Sequence, residues 1–200
     1  MQRWTLFAVI ASLVVVLDQA SKLMAVQYLT PGLSGAEGLL DTIGTFYGGV
    51  EHPCAGATRL ECPVRTVVDG FWYWRYVENP GAAWGFLRSA PESVRVPFFL
   101  LVPVIAAVFI LTLYRRLGDG QWLMRVALAL VFGGALGNFI DRVHLSYVID
   151  FIDMYIGSYH WPTYNIADSA ISVGVGLMML EWLMDAIRGK STAASAEASS

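Results

Sequence analysis

Several aspartates in this chain stand inside or at the rims of long apolar stretches, where an unpaired charge is costly and usually marks function. Asp18 and Lys22 sit four apart, on one helical face, and can pair. Asp141 and Arg142 end a later apolar stretch, Asp150 lies in YVIDFID with Asp153 behind it, and Asp168 opens another stretch in YNIADSAI. Neither Asp150 nor Asp168 has a Lys or Arg beside it in sequence. Two carboxyls brought together in a water-poor pocket cannot both ionise. One then keeps its proton while the other becomes a base, and such a pair can hydrolyse an amide with one water. The plainer alternative makes Asp150 an acceptor of backbone N–H groups in a turn and Asp168 a helix cap. Asn79, Asn138 and Asn165 offer amides that could hold an extended peptide or orient a carboxylate, or could serve as caps and turns. His144 and His160 lack ligand spacing and no HExxH occurs, so neither a metal nor a cofactor is expected. Ser169 and Ser172 lie in no GxSxG context.

The elements that must position these groups are read from the apolar pattern. The 200 residues are 56% hydrophobic and 14% charged, an imbalance that excludes an ordinary soluble domain. A net charge of −3 supplies no basic field, which excludes a nucleic-acid partner. The apolar excess falls into four stretches, about 4–28, 94–114, 121–140 and 166–187, each near the ~20 residues that cross a bilayer as a helix. The fold class expected is therefore mainly α: an integral membrane protein with four transmembrane helices. The first stretch, with TLFAVIASLVVVL at its core, differs from a cleaved signal peptide because no small-residue cleavage site follows and Asp18, Gln19 and Lys22 continue the helix. Pro97 and Pro103 in the second stretch are tolerable in a membrane helix. Gly133 with Gly137, and Ser172 with Gly176, have the small-residue spacing of closely packed helices.

Basic residues near the span ends, Arg3, Arg115, Arg116, Arg188 and Lys190, place both termini in the cytoplasm. The segments 29–93 and 141–165 then face outward, and every carboxylate named above gathers on that side. The run TVVDGFWYWRYVEN, with turn signals at Asp69–Gly70 and Asn79–Pro80–Gly81, predicts a small extracytoplasmic β element at the membrane surface. Cys54 and Cys62 can close a short loop or remain two thiols. Residues 1–190 are expected to form a single membrane-embedded domain and 191–200 a disordered tail. A proton-coupled transporter would also bury carboxylates but should carry polar residues through the full depth, and a scaffold would need the aspartates only as caps.

Five blocks narrow these choices. DQASK (18–22), ENPGAAWGF (78–86), GGALGNFIDR (133–142), VIDFID (148–153) and YNIADSAI (164–171) together resemble the lipoprotein signal peptidase family, bacterial signal peptidase II. The resemblance implies an aspartyl endopeptidase of the bacterial inner membrane that cleaves prolipoproteins before a diacylglyceryl-modified cysteine, working near the outer face as a monomer among membrane lipids. It places the catalytic pair on Asp150 and Asp168. It assigns substrate-binding or supporting roles to Asp18, Lys22, Asn79, Asn138, Arg142 and Asn165, and makes Asp141 a support beside Arg142. The β-rich stretch resembles that family's cradle for the substrate peptide. Trp84 stands where the family usually has Phe, and Ser146 stands where Gly is frequent, which puts the local backbone angle in question. The insertion at about 30–65 has no counterpart in the resemblance.

Overall fold

The computed structural model describes residues 2–48, 62–81, 87 and 89–197. The elements in chain order are α1 (Gln2–Leu29), α2 (Leu39–Tyr47), β1 (Val64–Val68), β2 (Trp72–Asn79), α3 (Glu92–Arg116), α4 (Trp122–Leu145), β3 (Val148–Ile156), β4 (Tyr159–Tyr164) and α5 (Ile166–Glu197). Among the described residues, α1, α3, α4 and α5 are long and apolar enough to span a bilayer. Their outward side chains bear this out: Val9, Val108 and Trp182 are 59%, 61% and 72% exposed, which hydrocarbon tolerates and water does not. Each span begins where expected to within a few residues, and α3 runs unbroken through Pro97 and Pro103.

Two boundaries differ from expectation. Helix α4 continues to Leu145, so Asp141 and Arg142 ride on its last turns instead of ending it. Helix α5 continues to Glu197, into the stretch expected to be disordered, because STAASAE is rich in the strongest helix former and follows an established helix.

Helix α4 is the hub, packing on α5, α1 and α3. Its glycines permit the approach: a Cβ on Gly133 would lie 2.9 Å from the Ala11 carbonyl oxygen, and one on Gly134 would overlap the Ala167 carbonyl oxygen. The expected Ser172–Gly176 packing pair is not used, since Gly176 faces open space; Gly174 takes that place, and its Cβ would meet the Ala127 carbonyl oxygen at 2.8 Å.

The two connecting segments meet in one antiparallel sheet, ordered β1-β2-β3-β4. Its turns use left-handed glycines, Gly70 (φ 71°) and Gly157 (φ 61°). Alternation along β3 puts Asp153 on the face opposite Asp150. There the fully buried Asp153 ties three strands together, 2.8 Å from Arg75 Nε on β2 and hydrogen-bonded to His160 on β4.

The insertion holds α2, which the sequence reading left without an element. Its Phe46 packs into a cluster of Ala25, Val26, Leu29, Tyr76, Tyr147, Ile149 and Phe151, which joins α1 to the sheet. A second cluster, Phe7, Ala11, Ile110, Tyr114, Leu117 and Leu128, closes the opposite end of α1. Residues 18–22 lie between the two. Cys62 is disulfide-bonded, and Cys54, the chain's only other cysteine, lies outside the described residues.

Candidate active site

One helical turn of α1 places Asp18 and Lys22 on the same face, and both side chains are fully buried. Lys22 Nζ lies 2.8 Å from Asp18 Oδ2 and 2.8 Å from Asp141 Oδ2, and it donates to Asn138 Oδ1 at 3.0 Å. One ammonium therefore offsets two carboxylates that could not otherwise share a dry interior. Each carboxylate also accepts a backbone N–H. Asp18 Oδ1 accepts the Ala167 N–H at 2.9 Å, and Asp141 Oδ2 accepts the Ile149 N–H at 3.1 Å. Ala167 and Ile149 are the residues immediately before Asp168 and Asp150, so a Lys22-centred clamp fixes the main chain at both.

The side chains of Asp150 and Asp168 are held by three amides. Asn79 Nδ2 donates to Asp150 Oδ2 at 2.9 Å and Asn165 Nδ2 donates to Asp150 Oδ1 at 2.8 Å. Asn138 Nδ2 donates to Asp168 Oδ1 at 2.8 Å, while its own Oδ1 accepts from both Lys22 and Asn165. A continuous path thus runs from Asp168 through Asn138 and Asn165 to Asp150. Asn165 also caps α5: its Oδ1 accepts the Asp168 N–H at 2.9 Å, and Asp168 Oδ2 accepts the Asn165 N–H at 3.4 Å, the reciprocal arrangement of a capping box. Capping and carboxylate pairing are therefore one geometry at Asp168, not alternatives. Asp150 lies within strand β3, not in a turn. Burial first, and then the neighbouring Asp168 charge, push the Asp150 carboxyl up to about 8.

All nine residues singled out in the sequence come to this region. Asp141 and Arg142 brace it from different sides. Consecutive helix positions point about 100° apart, so Asp141 turns inward to Lys22 and Gln19 while Arg142 turns to the β2 end. There Arg142 Nη2 donates to the Gly81 carbonyl at 3.0 Å, and its guanidinium lies 4.7 Å over the Phe99 ring. Ser146 closes α4 with φ 63°, the left-handed value that favours glycine. Trp84 lies outside the described residues.

Gln19 and Gly137, legible in the sequence only as a polar helix position and a packing glycine, also belong to the site. Gln19 Nε2 donates to Asp141 Oδ1 at 2.9 Å, to the Gly137 carbonyl at 3.1 Å and to Asp18 Oδ2 at 3.2 Å. Gly137 leaves room for a side chain, since a Cβ there would lie 2.5 Å from Asp18 Oδ2. The available signal was position: both lie inside blocks already marked for other residues.

Four membrane helices, a small sheet and a buried and a half-buried carboxyl bridged by amides define a polytopic membrane protein equipped for acid–base hydrolysis. A family model described as signal peptidase (SPase) II matches residues 10–184. A lipoprotein signal peptidase of Anaeromyxobacter sp. (strain Fw109-5) is 44% identical over 189 residues, spanning 89% of this chain and 84% of that one. One from Geobacter sulfurreducens is 51% identical over 119 residues, 60% of this chain and 73% of the relative. A solved bacterial membrane enzyme, 29% identical, superposes with a TM-score of 0.66 over 90% of this chain and 88% of its own. The chain belongs to the signal peptidase II family, and it is a multi-pass membrane peptidase.

Proposed function

We propose that Asp150 and Asp168 are the catalytic dyad of an aspartyl endopeptidase that cleaves lipid-modified prolipoproteins before the diacylglyceryl-modified cysteine. The observation that carries this reading is the amide bridge Asp168–Asn138–Asn165–Asp150, which gives the buried Asp150 and the half-buried Asp168 complementary settings. Asp150, pushed up to about 8, enters the reaction protonated. Asp168 accepts hydrogen bonds from Asn138 Nδ2 and Asn165 N in the first turn of α5 and serves as the base. Asp168 takes a proton from water as the water oxygen bonds to the scissile carbonyl carbon, and Asp150 gives its proton to the carbonyl oxygen. The tetrahedral diol collapses with its C–N bond breaking. The leaving amine receives the proton from Asp168, and Asp150 recovers one from the diol hydroxyl. Lys22, Asp18 and Asp141 position the two backbones, while Asn79 and Arg142 brace the β2 end of the cleft.

The position of the proposed dyad supports a lipid-anchored substrate. It lies where the four-helix bundle meets the sheet, so a peptide whose acyl chains stay in lipid, at ~0.8 kcal/mol per buried CH₂, presents its scissile bond at that depth. The basic residues at the span ends support an inner-membrane placement with both termini cytoplasmic and the site near the outer face. The test is incubation of purified protein in detergent with a diacylglyceryl-modified prolipoprotein and with its unmodified form. Only the lipidated protein should shorten, and equal cleavage of both would overturn the substrate assignment.

A further inference from the structure

We infer that Tyr47, on the α2 helix of the insertion, is a positioning residue for the aspartate pair: it orients Gln19, and through Gln19 the two carboxylates that hold the dyad backbone. This rests on the reading of Asp150 and Asp168 as the dyad. The Tyr47 hydroxyl donates to Gln19 Oε1 at 2.9 Å. Gln19 is buried on α1, and its amide has two unlike sides. The nitrogen faces Asp141, Asp18 and the Gly137 carbonyl, all acceptors, and the oxygen faces Tyr47. Were the amide reversed, its oxygen would point at two carboxylates, so a donor on the oxygen side selects the productive orientation. From there the chain of contacts is short: Asp141 holds the N–H of Ile149 before Asp150, and Asp18 holds the N–H of Ala167 before Asp168.

Helix α2 is built to deliver that hydroxyl. Phe46 is 2% exposed and anchors it, Thr42 is buried, and the Tyr47 ring meets Phe46 at 5.0 Å and His144 on α4 at 5.3 Å. Two turns earlier, at the start of the helix, Leu39 and Leu40 are 71% and 86% exposed, so the anchoring is confined to the end that carries the hydroxyl. Burial, followed by the charges of Asp141 and Asp18, pushes the Tyr47 phenol above its ordinary value, which keeps it a donor at neutral pH.

Tyr47→Phe keeps the ring and removes only the donor. With a diacylglyceryl-modified substrate, kcat per folded enzyme should fall about tenfold, the scale of one buried hydrogen bond lost, with KM within about twofold. In a Gln19→Met background the same substitution should cost nothing further, because the two residues act as one unit. Leu40→Ser, at the exposed start of α2, should leave kcat unchanged. Unchanged kcat in Tyr47→Phe, a change confined to KM, additive losses with Gln19→Met, or a loss accounted for by a smaller folded fraction would each overturn the inference. Asp150→Asn run alongside separates the two readings: if it is inactive while Tyr47→Phe is normal, only the Tyr47 role fails, whereas an active Asp150→Asn removes the dyad itself.

Discussion

Replacing Asp150 by Asn should inactivate the enzyme and, at neutral pH, make it more stable. Asp150 is 2% exposed and its carboxyl is pushed up to about 8, so the folded protein holds a proton that the unfolded chain releases above about pH 4. Between those values the unfolded state binds fewer protons, and stability falls as pH rises. At pH 7 the penalty is about 4 kcal/mol, from 1.36 kcal/mol for each pH step above the unfolded pKa. An Asn at this position carries no such penalty. It does lose one partner, because Asn79 and Asn165 both donate to the present carboxyl and a carboxamide oxygen faces only one of them, at a cost of about 1–3 kcal/mol. The balance favours the variant by about 1–3 kcal/mol at pH 7 and disfavours it near pH 4. Thermal unfolding in detergent reads this as a Tm difference of a few degrees that changes sign across the window. A difference that stays flat from about pH 4 to about pH 8 would refute the reasoning, whichever variant is the more stable.

Three further outcomes follow from the same geometry. Lys22→Met leaves Asp18 and Asp141 buried without their counter-charge and should cost about 3–5 kcal/mol, read as a large fall in Tm together with loss of cleavage. Gly137→Ala drives a Cβ into Asp18 Oδ2, displacing the carboxylate that holds Ala167; helix content by circular dichroism should be kept while cleavage falls more than about tenfold. Ser146→Gly relieves a left-handed residue at the end of α4 and should raise stability by about 1 kcal/mol with activity unchanged, as measured by thermal unfolding and turnover.

The parts of the molecule legible in its sequence are those set by local spacing or by composition. Four spans follow from hydrocarbon thickness, and the Asp18–Lys22 pair follows from one helical turn. The first hairpin follows from an aromatic run punctuated by Asp69–Gly70. The pairing of Asp150 with Asp168 is legible in a weaker sense: the residues allow it, a capping Asp168 and a turn-bound Asp150 fit equally well, and the dyad proposed here rests on the resemblance of the five blocks taken together. What the sequence withheld are contacts made across the fold. Gln19 reaches Asp141 over 122 residues and Asp153 clamps Arg75 and His160 from three strands, and no periodicity encodes either. The supporting role of Asp141 is legible from its block, but its partners Lys22 and the Ile149 N–H are not, because adjacency in sequence says nothing of adjacency in space. Helix α2 escaped notice because nine residues flanked by glycines give too short a pattern to separate from a loop.

The most direct test is turnover of a diacylglyceryl-modified prolipoprotein by Asp168→Asn, a substitution that keeps size and shape but cannot take a proton from water. Measured on protein shown to be folded by its thermal transition, cleavage should fall by about 10²–10⁴-fold or more. Turnover within about tenfold of the parent would mean that these two carboxyls are not the acid and base of this peptidase.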